Sequence, residues 1–117
     1  MELTKTLRRK RIPVHKSSGN VFVDIGFTPA EAAELTAKSR LISTIGETIQ
    51  LRRLTQAEAA RRCGTDQPTL SKVLRGRMES VTIDRLTLWL MALGRTIEIR
   101  VRPYSAKAKT GHLVTTA

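Results

Sequence analysis

A run of hydrogen-bonding and basic side chains between residues 67 and 77 is the part of the sequence best suited to chemistry. It supplies amide, hydroxyl, ammonium and guanidinium groups, which are long enough to reach the base edges or the phosphates of a nucleic acid. The polar members of the run are Gln67, Thr69, Ser71, Lys72, Arg75 and Arg77, and the apolar members are Leu70, Val73 and Leu74. At helical spacing the apolar members share one face, so the polar ones are predicted to point outward.

No comparable pattern indicates catalysis. His15 and His112 lie near opposite ends of the chain, and the single cysteine, Cys63, has no histidine near it in sequence. No carboxylates have the spacing of metal ligands or of an acid–base pair. We therefore predict no enzyme activity, no metal and no other cofactor, and we interpret Cys63 as a small core hydrophobe.

Two short helices joined by a tight turn are predicted around the polar run. Thr55 and Glu58 have the spacing of a capping box, which marks the start of the first helix. Ala59 and Ala60 give that helix a slim inner face, across which another helix can pack closely. Gly64 then stands where a left-handed C-cap requires a residue without a Cβ, so the chain is predicted to turn there.

Asp66 can cap the second helix and Gly76 can end it. Two helices separated by a turn of about three or four residues form the helix-turn-helix pattern, in which the second helix carries the recognition surface. The alternative is an ordinary αα-hairpin with a solvated polar face. The predicted DNA contacts are Gln56, Gln67, Pro68, Thr69, Ser71, Lys72, Arg75 and Arg77.

The charge balance favours a polyanion as partner. The 117 residues contain 21 Lys and Arg against 10 Asp and Glu, which gives a formal net charge of +11. Residues 1–20 hold six of the basic side chains and one of the acidic ones, show no sustained hydrophobic period and are predicted to form a flexible basic arm. Aromatic residues make up only 3%, which disfavours an RNA-stacking surface and leaves double-stranded DNA as the predicted partner.

The length and the 40% apolar content suit one modest core. We predict a domain over residues 21–104, preceded by the basic arm and followed by a disordered tail over residues 105–117. No apolar run is long enough to span a bilayer, and the basic N-terminal residues lack the apolar centre of a signal peptide. We therefore expect a cytoplasmic protein with no membrane partner.

Further helices are predicted on both sides of the motif. Thr28, Pro29 and Glu31 together mark the start of a helix that extends to about residue 52. Its apolar stripe consists of Ala32, Leu35, Ile42, Ile45 and Ile49, while Glu34, Lys38, Arg40 and Glu47 lie off the stripe. Thr82 caps a last helix, in which Trp89 is predicted to belong to the core.

Residues 96–102 alternate strictly between apolar and polar types, which predicts a β-strand with Ile97, Ile99 and Val101 on one face. A lone strand leaves its backbone groups unpaired, so this one needs a partner. The partner is either the same strand of a second subunit or the apolar segment 21–25. We favour the first, because a two-fold homodimer suits a two-fold DNA site, and it makes these three side chains the dimerisation residues.

The motif resembles the XRE family of helix-turn-helix regulators over roughly residues 47–94. LTQAEAARRCG matches the first motif helix and the turn, and QPTLSKVLRG matches the recognition helix, although Cys63 and Thr65 stand where aliphatic residues are more common. The resemblance implies a mainly α fold, a five-helix lambda-repressor-like helix-turn-helix domain, here followed by the C-terminal β-strand.

A longer stretch of the chain resembles the HigA-like antitoxins of type II toxin–antitoxin modules. It extends back from the motif to NVFVDIGFTPAEAAELTAKSRLISTI and forward to TIDRLTLWLMALGRTIEIRV. This resemblance implies a homodimer that binds operator DNA, represses its own operon and neutralises a RelE/HigB-like ribonuclease toxin. The short, apolar and β-branched stretch 21–27 suggests an extended segment or a docking strip, and the alternative is a plain core edge. The resemblance implies that it is part of the toxin-docking surface. Its candidate toxin contacts are Val21, Phe22, Val23, Ile25 and Phe27. The alternative function is a stand-alone phage- or plasmid-type repressor with no toxin partner.

Overall fold

In the computed structural model, which describes residues 20–116, the chain forms a mainly helical domain. The α-helices are α1 (Val21–Asp24), α2 (Pro29–Leu51), α3 (Gln56–Cys63), α4 (Gln67–Leu74) and α5 (Ile83–Ala92), with a 3₁₀ turn at Met78–Ser80. The predicted mainly α, five-helix fold is confirmed. The predicted basic arm lies outside the described residues, apart from Asn20.

Helix α2 begins at the predicted capping box. The hydroxyl oxygen of Thr28 accepts a hydrogen bond from the Glu31 N–H at 3.2 Å, and the Glu31 carboxylate accepts one from the Thr28 N–H at 3.0 Å.

The predicted apolar stripe of α2 faces inward, with Ala32, Ile42, Ile45 and Ile49 buried and Leu35 half-buried. The placement of Lys38 off that stripe is wrong: this side chain is also buried, because its ammonium group finds a carbonyl partner after α4.

One core joins α2, α3, α4 and α5. Ile45 of α2, Leu70 of α4 and Leu86 of α5 are completely buried, and Trp89 is only 2% exposed, which confirms its predicted place in the core. Full burial of a large aliphatic side chain is worth about 1.5–3 kcal/mol. The same contacts hold α4 against α2 and α3, so the outer face of α4 has a fixed orientation.

The prediction of an extended segment at residues 21–27 is wrong, because Val21–Asp24 form the single-turn helix α1 and a turn follows it. Asn20 caps this turn: its side-chain oxygen accepts hydrogen bonds from the N–H groups of Phe22 at 2.8 Å and Val23 at 3.4 Å. The Asn20 amide also donates to the Thr36 hydroxyl at 2.9 Å, which joins the start of α1 to α2. A capping side chain that precedes the apolar residues therefore outweighs their β-branched composition.

No strand occurs within residues 20–116, so the predicted C-terminal strand is not found in the single chain. Ile97 packs against the core, whereas Ile99 and Val101 are each 88% exposed. The intrachain alternative, pairing with the segment 21–25, is wrong because that segment is helical. Without a neighbouring extended segment, the alternating sequence has no backbone groups to pair with.

The end of the chain returns to α2. The Arg40 guanidinium donates a hydrogen bond to the Thr115 carbonyl at 2.8 Å, and residues 112–115 border a shallow groove together with Ala33 and Ala37 of α2. Leu113 and Val114 remain about half exposed there. The segment expected to form the tail contains no helix among its described residues.

Candidate nucleic-acid interface

Helix α3 has the predicted start and end. The Thr55 hydroxyl oxygen accepts from the Glu58 N–H at 3.1 Å, and the Glu58 carboxylate accepts from the Thr55 N–H at 2.8 Å. Ala59 and Ala60 are buried, so the slim inner face packs as expected. Gly64 adopts the left-handed conformation, with φ 74° and ψ 29°, and turns the chain toward α4.

Helix α4 is capped at its start and anchored along its inner face. The Asp66 carboxylate accepts a hydrogen bond from the Thr69 N–H at 2.8 Å, which satisfies one of the free donors of the first turn. Leu70 and Val73 are buried against the core, and Leu74 packs against it more loosely. These anchors leave the opposite side of α4 free to contact a ligand.

The predicted DNA contacts occupy that opposite side and its two ends. Lys72 and Pro68 are exposed, and their helical positions lie directly opposite the buried face. The other exposed members of the set are Gln67, Thr69, Arg75 and Arg77. Ser71 is half-buried and accepts a hydrogen bond from Arg75, while Gln56 is half-buried at the first position of α3.

The carboxylates at these helix starts are held in their charged form. The pKa of Asp66 is lowered by the hydrogen bond from the Thr69 backbone, and the pKa of Glu58 by that from the Thr55 backbone. Each carboxylate therefore serves its helix cap and is not suited to exchange protons near neutral pH. Apart from Pro68, the outer face of α4 carries neutral polar and cationic side chains, which suits a surface that meets phosphates.

Cys63 lies beside this motif and not within its polar face. Burial raises the pKa of its thiol, and the sulfur lies 3.8 Å from the Trp89 carbonyl oxygen. A thiol in that setting packs as a small hydrophobic group rather than reacting as a thiolate.

Within residues 20–116, no group of His, Cys, Asp and Glu side chains is arranged to hold a metal ion. None of the helices in that range is long and apolar enough to cross a membrane.

Sequence reasoning missed one residue connected to this surface. Lys38 of α2 reaches the loop that follows α4, where its Nζ donates to the Met78 carbonyl at 3.1 Å. A signal for its burial was present, because Lys38 lies four and seven positions before Ile42 and Ile45 and so continues their stripe. Because Lys38 is charged, it was not assigned to the apolar stripe.

The chain is similar to a known protein family and to a solved structure. A family described as a helix-turn-helix domain matches residues 21–102. The solved structure of a protein assigned to the XRE family of transcriptional regulators is 31% identical and superposes with a TM-score of 0.65, over 74% of this chain and 98% of that one. No curated protein matches the chain.

Proposed function

Because the chain belongs to the XRE family of helix-turn-helix domains and is a DNA-binding transcriptional regulator, we propose that it represses its own operon and neutralises a RelE/HigB-like ribonuclease toxin. The observation that carries the DNA-binding part is the capped helix α4, whose inner face is anchored and whose outer face is polar and cationic. The antitoxin part depends on the exposed apolar surface of α1.

In the proposed complex, α4 lies in the major groove of the operator. Gln67, Thr69 and Lys72 face the base edges, because all three are exposed within the helix itself, from its first turn to its last. Arg75 and Arg77 lie at and after the end of the helix, where the DNA backbone passes, and contact phosphates. Phosphate contacts fix the register of the helix, and the base contacts select the sequence.

Two copies bind the two halves of the operator. Residues 96–104 form no backbone hydrogen bond with any other described residue, and Ile99 and Val101 project apolar side chains into solvent. Pairing of this segment with its counterpart in a second copy would satisfy those backbone groups and bring both side chains against cross-strand apolar neighbours. Dimerisation would also set the spacing of the two α4 helices for half-sites one helical turn apart, about 34 Å.

Sedimentation of full-length variants tests the dimer. Replacing both Ile99 and Val101 by Asp is expected to give a folded monomer at micromolar concentration, because the charges oppose burial of the paired segment. Leu88→Asp is the matched control, since Leu88 is an exposed apolar residue of α5 and is expected to leave the dimer intact. A monomer only with Leu88→Asp would place the interface on α5 and contradict the proposal.

The proposed toxin surface is on α1 and the turn that follows it. Val21, Ile25 and Phe27 are 62%, 66% and 40% exposed, and Phe27 packs edge-on against Phe22 with ring centroids 6.2 Å apart. Val23, like Phe22, is half-buried and supports this surface rather than facing solvent. Exposed apolar side chains fixed on a helix are suited to docking against another protein.

Co-expression with the reading frame that lies beside this chain's own gene separates toxin neutralisation from DNA binding. If that frame encodes the toxin, the wild-type chain is expected to relieve the growth arrest it causes. Replacing both Val21 and Ile25 by Asp should abolish relief and preserve DNA binding, whereas Lys72→Ala should weaken DNA binding and preserve relief. Absence of growth arrest, or relief by the doubly substituted variant, would contradict the antitoxin role and leave a stand-alone repressor.

A further inference from the structure

Lys38 is a buried cation with a long-range partner. Its side chain lies on the inner stripe of α2 and the residue is 8% exposed. Nζ donates a hydrogen bond to the Met78 carbonyl oxygen at 3.1 Å and lies 3.6 Å from the carboxylate of Glu34, which is largely exposed. An ammonium group removed from water is costly unless such partners compensate it.

The carbonyl that Lys38 holds belongs to the loop that leaves α4. Met78 begins the 3₁₀ turn, and its oxygen also accepts the Val81 N–H at 3.3 Å. One residue earlier, the Arg77 N–H donates to the Lys72 carbonyl at 3.1 Å. Arg77 is therefore held on one side by the end of α4 and on the other by the carbonyl that α2 fixes through Lys38.

An apolar residue at position 38 would meet the packing needs of α2 without a buried charge. Ile42 and Ile45 continue the same stripe. Removing one member of a fully buried ion pair is destabilising, but the Glu34 carboxylate is largely exposed and stays solvated without Lys38. What the lysine adds is the bond to Met78. This addition concerns the geometry of the loop more than the stability of the core.

We propose that Lys38 is a positioning residue for DNA binding, which acts by fixing the loop 76–80 so that the Arg77 guanidinium meets a phosphate of the operator. The inference rests on the proposed function, in which Arg77 contacts phosphate. Lys38 itself does not touch the DNA. Its removal is expected to release the loop and to weaken binding through Arg77.

A double-mutant cycle in the full chain tests this. The probe is a DNA duplex that the wild-type chain enriches from a random-sequence library. Lys38→Met and Arg77→Ala are each expected to weaken binding to it about tenfold and to reduce the slope of log affinity against log salt by about 0.9, the value for one phosphate contact. Adding Lys38→Met to Arg77→Ala should cause little further loss, because both changes remove the same contact.

The control cycle uses Lys72→Ala, since Lys72 faces the bases. In that background Lys38→Met should still cost about tenfold. Unfolding in urea, followed by the fluorescence of Trp89, checks that the variants are folded. Lys38→Arg, which keeps a cationic donor, should restore the salt slope, and if Lys38→Met does not fold the cycle is run with Lys38→Gln.

Three results would overturn the inference. The first is DNA affinity that is unchanged by Lys38→Met. The second is a full tenfold loss when Lys38→Met is added to Arg77→Ala, which would indicate a general structural effect. If Arg77→Ala itself alters neither affinity nor salt slope, the phosphate contact assigned to Arg77 fails, and the inference fails with it. Failure of the wild-type chain to enrich any duplex would instead contradict the proposed function as a whole.

Discussion

The Arg75 guanidinium donates a hydrogen bond from Nη1 to the hydroxyl oxygen of Ser71, one turn earlier in α4, at 2.9 Å. The bond directs the Arg75 side chain back along the helix and uses one of the acceptor sites of the serine oxygen. We therefore expect Ser71 to contribute to DNA binding mainly by orienting Arg75. In the proposed complex, Gln67, Thr69 and Lys72 read the bases, and Arg75, at the end of the helix, contacts phosphate.

Salt dependence distinguishes these roles. Arg75→Ala and Arg77→Ala should each flatten the slope of log affinity against log salt by about 0.9, because each removes one phosphate contact. Ser71→Ala should leave the slope unchanged and weaken binding less than Arg75→Ala does. Fluorescence anisotropy titrations at several salt concentrations measure both quantities, and an unaltered slope for Arg75→Ala would exclude its phosphate contact.

Gly64→Ala is expected to destabilise the protein by about 1 kcal/mol, because a Cβ at a left-handed position is strained. The cost is conformational, since a Cβ built at Gly64 would meet no atom within 4 Å. Gly111→Ala is the matched control: its Cβ would also lie in open space, its φ is outside the left-handed region, and it should change nothing. Urea unfolding gives the comparison, and equal midpoints for the two variants would contradict the role of Gly64 as a C-cap.

Low pH is expected to reduce the free energy of unfolding, because the carboxylates that cap α3 and α4 become protonated. The pKa values of Glu58 and Asp66 lie below their ordinary values of 4.5 and 3.8, so both groups stabilise the fold above those values. That stability is lost as the pH falls from the ordinary pKa through the lowered one. Replacing Glu58 by Gln and Asp66 by Asn keeps acceptors at both caps but removes the titration, so unfolding free energy should fall less steeply below pH 4.5 than in the wild type. Parallel curves would show that these caps do not titrate with folding.

Deletion of residues 1–19 should weaken binding to every DNA and leave the preferred sequence unchanged. The deletion removes six basic side chains and one acidic one, which takes away a long-range attraction that is common to all duplexes. Asn20 is retained because it caps α1. Selection from a random library with the full and the shortened chain gives the two consensus sequences, and a difference between them would mean that the arm reads bases.

The helix boundaries of the motif could be predicted because they depend on neighbours within one turn. The capping box at Thr55 and Glu58 and the left-handed Gly64 are local chemistry that the sequence displays directly. Anchoring of α4 by Leu70 and Val73 follows from their spacing. The exposed face of α4 was therefore predictable almost residue by residue.

The remaining features depend on partners that are distant in sequence. The stripe position of Lys38 indicates its burial, but no local pattern indicates its hydrogen bond to the Met78 carbonyl, forty positions away. The alternation through Ile97, Ile99 and Val101 shows which side chains share a face of an extended segment, but not where a pairing strand would come from. The segment 21–25 is the exception, because its helical turn is capped locally by the Asn20 side chain, which accepts from the N–H groups of Phe22 and Val23.

The measurement that tests the central claim most directly is the affinity of Gln67→Ala and Lys72→Ala for a selected duplex and for random DNA, at one salt concentration. If α4 reads bases through these side chains, each variant should lose about 1 to 3 kcal/mol on the selected duplex and much less on random DNA. The ratio of the two affinities would then collapse toward that of non-specific binding. Equal losses on both kinds of DNA, or no loss on either, would contradict the assignment of α4 as the helix that recognises the operator.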